Sequence, residues 1–130
     1  MIKATAIADD VRRFVLTSVP SIPYLEAMLL LRNEVGTGWD NRALAQRLYL
    51  NEKTAAGLLS DLQEAGILRA EGDAPALYFY APESDSLRAI IDRLATAYST
   101  HLVEITHLIH STSARKAQQF ADAFKWRKDS

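Results

Sequence analysis

The chain has 130 residues, 48% of them hydrophobic, with fifteen basic side chains against sixteen acidic ones and a net charge of −1. That length supports one compact domain with a sizeable core and appended helices, and it leaves too little chain for two domains; the near-neutral balance excludes a molecule that is basic throughout, as many nucleic-acid binders are. The absence of cysteine, of any long apolar run and of a charged start leading into an apolar stretch with a cleavage site predicts a cytoplasmic chain with no membrane, disulfide or thiolate chemistry.

Ile7, Val11, Phe14 and Val15 make one apolar stripe at helical spacing, and Asp9 and Asp10 suit the positive end of a helix that runs to about Ser18. Val19-Pro20-Ser21 breaks it, and Ser21 can cap a second helix with Pro23 in the first turn, where a missing N–H does little harm. That helix carries Leu25, Ala27, Met28, Leu29, Leu30 and Leu31, so it is apolar on nearly every side and is expected to be buried on more than one face. Gly36-Thr37-Gly38 ends it. Trp39 then precedes the predicted cap Asp40 and faces Leu44 at the spacing of a hydrophobic staple.

From Asp40 to Leu68 the pattern is two helices and a tight turn. Leu44, Ala45 and Leu48 follow helical spacing, the spacing stops at Tyr49-Leu50, and it resumes as Ala55, Leu58, Leu59 and Leu62, with Asn51 placed as a cap and Ala65-Gly66 as the stop. Ile67-Leu68-Arg69 and Leu77-Tyr78-Phe79-Tyr80 then flank Gly72-Asp73-Ala74-Pro75, the signature of a hairpin. Helix, turn, helix and hairpin make a winged helix. Over residues 22–81 the order L-A-x-x-L, a short turn, T-A-x-x-L-L-x-x-L and A-G-I-L resembles the winged helix-turn-helix domains of bacterial transcription regulators of the MarR-like type. The resemblance implies a dimeric DNA-binding regulator, mainly α with a small β-hairpin, and a short strand at Gly36–Gly38 that joins the wing.

After the hairpin, Pro82 stops the strand and Ser84 or Asp85 can cap a long helix reaching about His110. Ile91, Leu94, Tyr98, Leu102, Ile105 and Ile109 form a seam in steps of three and four. A continuous helix of that span, roughly 39 Å at a 1.5 Å rise, is too long for so small a domain to cover, so a homodimer held by this seam, with help from Phe14, Phe120 and Phe124, is expected. Ala117, Phe120, Ala121 and Phe124 predict a last amphipathic helix before the tail Lys125-Trp126-Arg127-Lys128, and residues 1–21, 22–81 and 84–128 are expected to act as N-terminal helix, winged helix and dimerisation helices of one domain. His101, Glu104, His107 and His110 recur every third residue, but each such step drifts about 60° backwards around the helix, so His101 and His110 fall on opposite faces, the four cannot meet on one ion and no metal is expected.

With Ala55, Leu58, Leu59 and Leu62 inward, Lys53, Gly57, Ser60 and Glu64 face outward, flanked by Ala56 and Asp61. Read as a DNA-binding helix, this face offers Asn51, Lys53, Thr54, Gly57 and Ser60 to the major groove, while Arg42, Arg47 and Lys53, with Arg69 at the start of the wing, reach for phosphates. Glu64, Asp61 and the acidic hairpin tip Glu71-Gly72-Asp73 run against that reading and motivate the alternative, a winged helix that docks on a protein. No Gly-rich phosphate loop, G-x-S-x-G turn or nucleophile-and-base constellation is present, which predicts a non-enzyme without cofactors, with double-stranded DNA and a second copy of itself as partners.

Overall fold

Apolar spacing, caps and glycines set the element order α1 (Asp9–Ser18), α2 (Ile22–Asn33), α3 (Asn41–Leu48), α4 (Glu52–Glu64), β1 (Leu68–Glu71), β2 (Leu77–Tyr80) and α5 (Asp85–Thr100) in a computed structural model that describes residues 7–73 and 75–111. A further helical segment, α6, covers residues 102–111. The chain divides into two compact units, Pro23–Ala95 and a second drawn from Met1–Ile22 and Thr96–Ser130. No single described helix is long and apolar enough to cross a membrane.

Within Pro23–Ala95, α2 buries Tyr24, Leu25, Ala27, Met28 and Leu31 and leaves Leu29 and Leu30 half-buried, which is the many-sided burial its composition predicts. The inner faces of α3 and α4 supply Leu44, Ala45, Ala55, Leu58, Leu59 and Leu62 to the core. The two helices pack on each other, and α4 packs on β1. Both helices start where the sequence places them. The Asp40 carboxylate accepts the Ala43 N–H at 2.8 Å and the Asn51 side-chain oxygen accepts the Thr54 N–H at 2.7 Å, each cap worth about 1 kcal/mol over alanine. Ser84 likewise accepts the Leu87 N–H at 3.1 Å and opens α5.

β1 and β2 pair antiparallel with Leu68 opposite Tyr80 and Glu71 opposite Leu77. The third strand position is Trp39 rather than Gly36–Gly38: Trp39 and Tyr78 exchange backbone hydrogen bonds at 2.9 and 2.8 Å. Gly36 sits at φ +92, a left-handed exit from α2 that no ladder accepts, and Gly38 serves proximity instead, since a Cβ there would lie 2.8 Å from the Phe79 ring. At the far end of α4, Gly66 has φ +79, its carbonyl accepts the Glu83 N–H at 2.8 Å, and the Glu83 carboxyl group fills the space where a Cβ would stand.

Two buried phenols give this unit an alkaline limit. Burial first, and then the Asp61 carboxylate, raises Tyr24 above its ordinary 10.0; burial first, and then Asp92, raises Tyr80, against the pull of Arg32 and Arg88. Each holds its proton more tightly folded than unfolded, so its contribution is whole below the unfolded value and is lost as pH climbs through the folded one. Stability is therefore expected to fall as pH passes about 10, and a Tyr24→Phe, Tyr80→Phe variant to fall less steeply, by chemical denaturation at about pH 8 and about pH 10.5.

In the second unit, Ile7, Val11, Val15 and Val19 are buried around α1 and Phe14 is half-buried. The continuous helix expected to His110 is not formed: α5 ends at Thr100, His101 lies outside the helices, and α6 follows. Side-chain oxygens explain the interruption. Ser99 Oγ and Thr100 Oγ1 both donate to the Thr96 carbonyl, at 2.7 and 3.1 Å, and Thr100 Oγ1 lies 2.8 Å from His101 Nδ1, a back-bonding that loosens the helical ladder.

The premise that the seam has no cover in its own chain is also corrected. Ile91, Leu94, Ile105 and Ile109 are each 0% exposed in the single chain, whereas Tyr98 is half-buried and Leu102 is exposed. Two shorter helices can be covered by a small chain where one 39 Å rod cannot, so four of the six seam positions serve their own chain's core. The expected helix at Ala117–Phe124, with Phe120 and Phe124, and the basic tail lie outside the described residues.

Candidate nucleic-acid interface

α4 is divided cleanly. Opposite its buried face, Lys53, Thr54, Gly57, Ser60, Asp61 and Glu64 are exposed and Ala56 is half-buried. Gly57 has no neighbouring atom within 4 Å of the place a Cβ would take, so no packing among the described residues offsets its propensity cost of about 1 kcal/mol relative to alanine. At the N-terminus of α4 the side-chain oxygen of Asn51 accepts the Thr54 N–H, so the cap holds the amide in one orientation and any forked reading of adenine would have to be made from there or at the cost of the cap.

The arginines divide into two kinds. Arg42 lines a notch with Ala45, Gln46, Leu50, Asn51 and Glu52, at the junction of α3 and α4. Arg47 instead reaches back, with Nη2 2.5 Å from Glu34 Oε2 and its guanidinium 5.6 Å from the Trp39 ring centroid. Arg69 is paired within its own strand to Glu71 at 2.6 Å and lies 5.0 Å from the Phe79 centroid. Such half-exposed pairs contribute about 0.2–1 kcal/mol, too little to lock the side chains, but each presents a neutral pair rather than a positive charge. Among the described residues, Arg42 and Lys53 are the site cations that carry no ion pair.

The structure thus brings Arg42 and Asn51 together at one notch, lines up Lys53, Gly57 and Ser60 on one helix face, and turns Arg47 and Arg69 towards their own carboxylates. Sequence reasoning passed over Gln46, which shares the notch with Arg42, and Tyr49, the residue between the helices. Tyr49 has φ 58 and ψ 46 and is 95% exposed; the available signal was an aromatic residue at a helix exit where glycine or asparagine is usual. Exposed Glu52, Asp61, Glu64, Glu71 and Asp73 surround the face. Of the histidine ladder, His101 is half-buried beside Thr100, and Glu104, His107 and His110 are exposed. No cluster of three or more potential metal ligands occurs among the described residues.

No protein-family model and no curated protein matches the sequence. Solved structures do match the fold. A MarR-family transcriptional regulator from Rhodococcus sp. RHA1 aligns at a TM-score of 0.52 with 19% identity, over 85% of this chain and 82% of that one. The PcaV transcriptional regulator from Streptomyces coelicolor, solved with its natural ligand, aligns at 0.51 with 18% identity over 92% of this chain and 82% of its own. The transcriptional regulator Tm0710 from Thermotoga maritima aligns at 0.52 with 14% identity, over 92% and 81%. From Trp39 to Tyr80, helix, turn, helix and a hairpin stitched to Trp39 repeat one architecture, and the chain has the winged helix-turn-helix fold seen in MarR-family transcription regulators.

Proposed function

We propose that the chain is a DNA-binding transcription regulator, a non-enzyme that works as a homodimer, with α4 in the major groove and Arg42 and Lys53 on phosphates. One observation carries the reading: α4 is buried along Ala55, Leu58, Leu59 and Leu62 and bare along Lys53, Gly57 and Ser60, and among the described residues no carboxylate pairs with Lys53 or with Arg42 on α3. The unoccupied Cβ space at Gly57 fits it, because a helix entering a groove gains from a backbone that approaches closely. Exposed Leu102 and Val103, at 54% and 61%, support a partner surface on α6 in place of the full seam.

Fluorescence-anisotropy titration against duplexes from the protein's own promoter region, at about 50 mM salt, tests the reading. The double variant Arg42→Ala, Lys53→Ala is expected to bind at least about tenfold more weakly. Arg47→Ala and Arg69→Ala, which remove neutral pairs, are expected to change affinity less than about threefold. Absence of duplex binding by the unaltered chain at that salt defeats the proposal. The acidic tip and the self-paired Arg47 and Arg69 favour the second reading in that case, a protein-docking winged helix that bulky substitutions at Ala56, Gly57 or Ser60 would block.

A further inference from the structure

Tyr49 is the one non-glycine residue at positive φ among the described residues. Its backbone does the work of the turn: the Tyr49 and Leu50 N–H groups both donate to the Ala45 carbonyl, the latter at 2.9 Å, which closes α3 and aims the chain into α4. Any residue able to adopt that conformation would serve, and glycine would adopt it without the steric cost that a Cβ brings in the left-handed region. The side chain makes no hydrogen bond or ring contact among the described residues and is 95% exposed. Here the fold carries a left-handed non-glycine backbone and an almost fully solvated aromatic ring with no return among the described residues, a combination that points outward.

Position says towards what. Arg42 and Gln46 stand one turn apart on α3 and share the notch with Asn51, and Tyr49 ends the same helix at the corner where α4 begins. Exposed Arg42, Gln46, Tyr49, Asn51 and Lys53 therefore follow the chain around that corner. An exposed phenol at the corner of a helix-turn-helix that also carries Arg42 and Lys53 suits a phosphodiester, since its O–H can donate to a phosphate oxygen while the ring lies against a deoxyribose. We infer that Tyr49 is a DNA-backbone contact that acts beside Arg42, an inference that rests on the DNA reading above. Because the phenol contributes a neutral donor, it adds affinity without displacing a condensed counterion, and this separates it from every lysine or arginine on the face.

The test is the salt dependence of duplex binding by the full-length chain and three variants. Tyr49→Phe, which keeps the ring and removes the donor, is expected to weaken binding about tenfold with an unchanged salt slope, the scale of one hydrogen bond to a charged acceptor. Arg42→Ala is expected to weaken binding and flatten the slope by about one unit per lost contact. Tyr49→Gly is expected to bind at least as weakly as Tyr49→Phe while its thermal midpoint rises by about 2–5 °C, so a damaged fold cannot account for the loss. If the unaltered chain binds duplex and Tyr49→Phe matches it within about threefold, or shifts the salt slope as Arg42→Ala does, the inference is overturned and the DNA reading stands. If the unaltered chain binds no duplex, the DNA reading itself fails, and Tyr49 is left as an aromatic anchor for a protein partner.

Discussion

Ile91→Asp is expected to abolish the folded state, whereas Leu102→Asp, on the next helix, is expected to leave it intact. Ile91 is 0% exposed on α5, so the substitution removes a buried side chain worth about 1.5–3 kcal/mol and places a carboxyl group where water is excluded. An uncompensated buried charge costs several kcal/mol more. Against a typical total of about 5–15 kcal/mol, the sum leaves little or nothing. Leu102 is 54% exposed, and an aspartate there meets solvent; its expected effect is on association of two chains, read by light scattering at micromolar concentration. Circular dichroism melts check the pair. A folded but monomeric Ile91→Asp protein would return that residue to the dimer seam and contradict its place in the chain's own core.

The second large effect is the dependence of duplex affinity on salt. Four cations per chain, Arg42, Arg47, Lys53 and Arg69, would neutralise up to eight phosphates in a dimer, and affinity would then drop by 10³ or more between 50 and 200 mM salt, roughly, by counterion release. Arg47 and Arg69 meet Glu34 and Glu71 instead. A phosphate approaching either pair meets no net charge, so the effective count falls to Arg42 and Lys53. Two per chain give a slope near −3.6 and a loss of about 150-fold over the same interval. Glu34→Gln with Glu71→Gln is expected to free the two arginines and steepen the slope towards about −7. An unaltered chain that already shows the steeper slope would mean that DNA displaces both carboxylates, and the neutral-pair argument would then be wrong.

The winged helix was legible in the sequence because each of its local signals is short in range and all agree. Asp40 and Asn51 cap three residues ahead, Leu58, Leu59 and Leu62 repeat at helical spacing, and the hairpin follows from two apolar runs around Gly72. The charge state of the face was not legible, because it depends on a pair thirteen residues apart, Arg47 with Glu34, and on a choice by Arg69 between solvent and its own strand. The interruption at His101 was half-visible. The apolar steps through Tyr98, Leu102 and Ile105 carry straight across it, and only the hydroxyls of Ser99 and Thr100, bonding back to Thr96, mark the place. Tyr49 escaped notice because periodicity registers it only as the end of a helix. Its meaning lies in a backbone angle.

The fastening at Gly66 bears on how this chain can be altered. Glu83 N–H on the Gly66 carbonyl and Ala81 N–H on the Ile67 carbonyl, at 2.8 and 2.9 Å, tie the two stems of the hairpin together at its base, and Gly66 itself holds φ +79, a conformation that any side chain there would strain. The wing is thereby a closed loop with its own foundation, and what happens at its acidic tip need not be felt in α4 or α5. Lengthening, shortening or recharging the segment around Gly72 is an edit to an interchangeable cassette, whereas even alanine at position 66 would strike the foundation. Affinity for a polyanion can therefore be graded at the tip without rebuilding the scaffold that carries it.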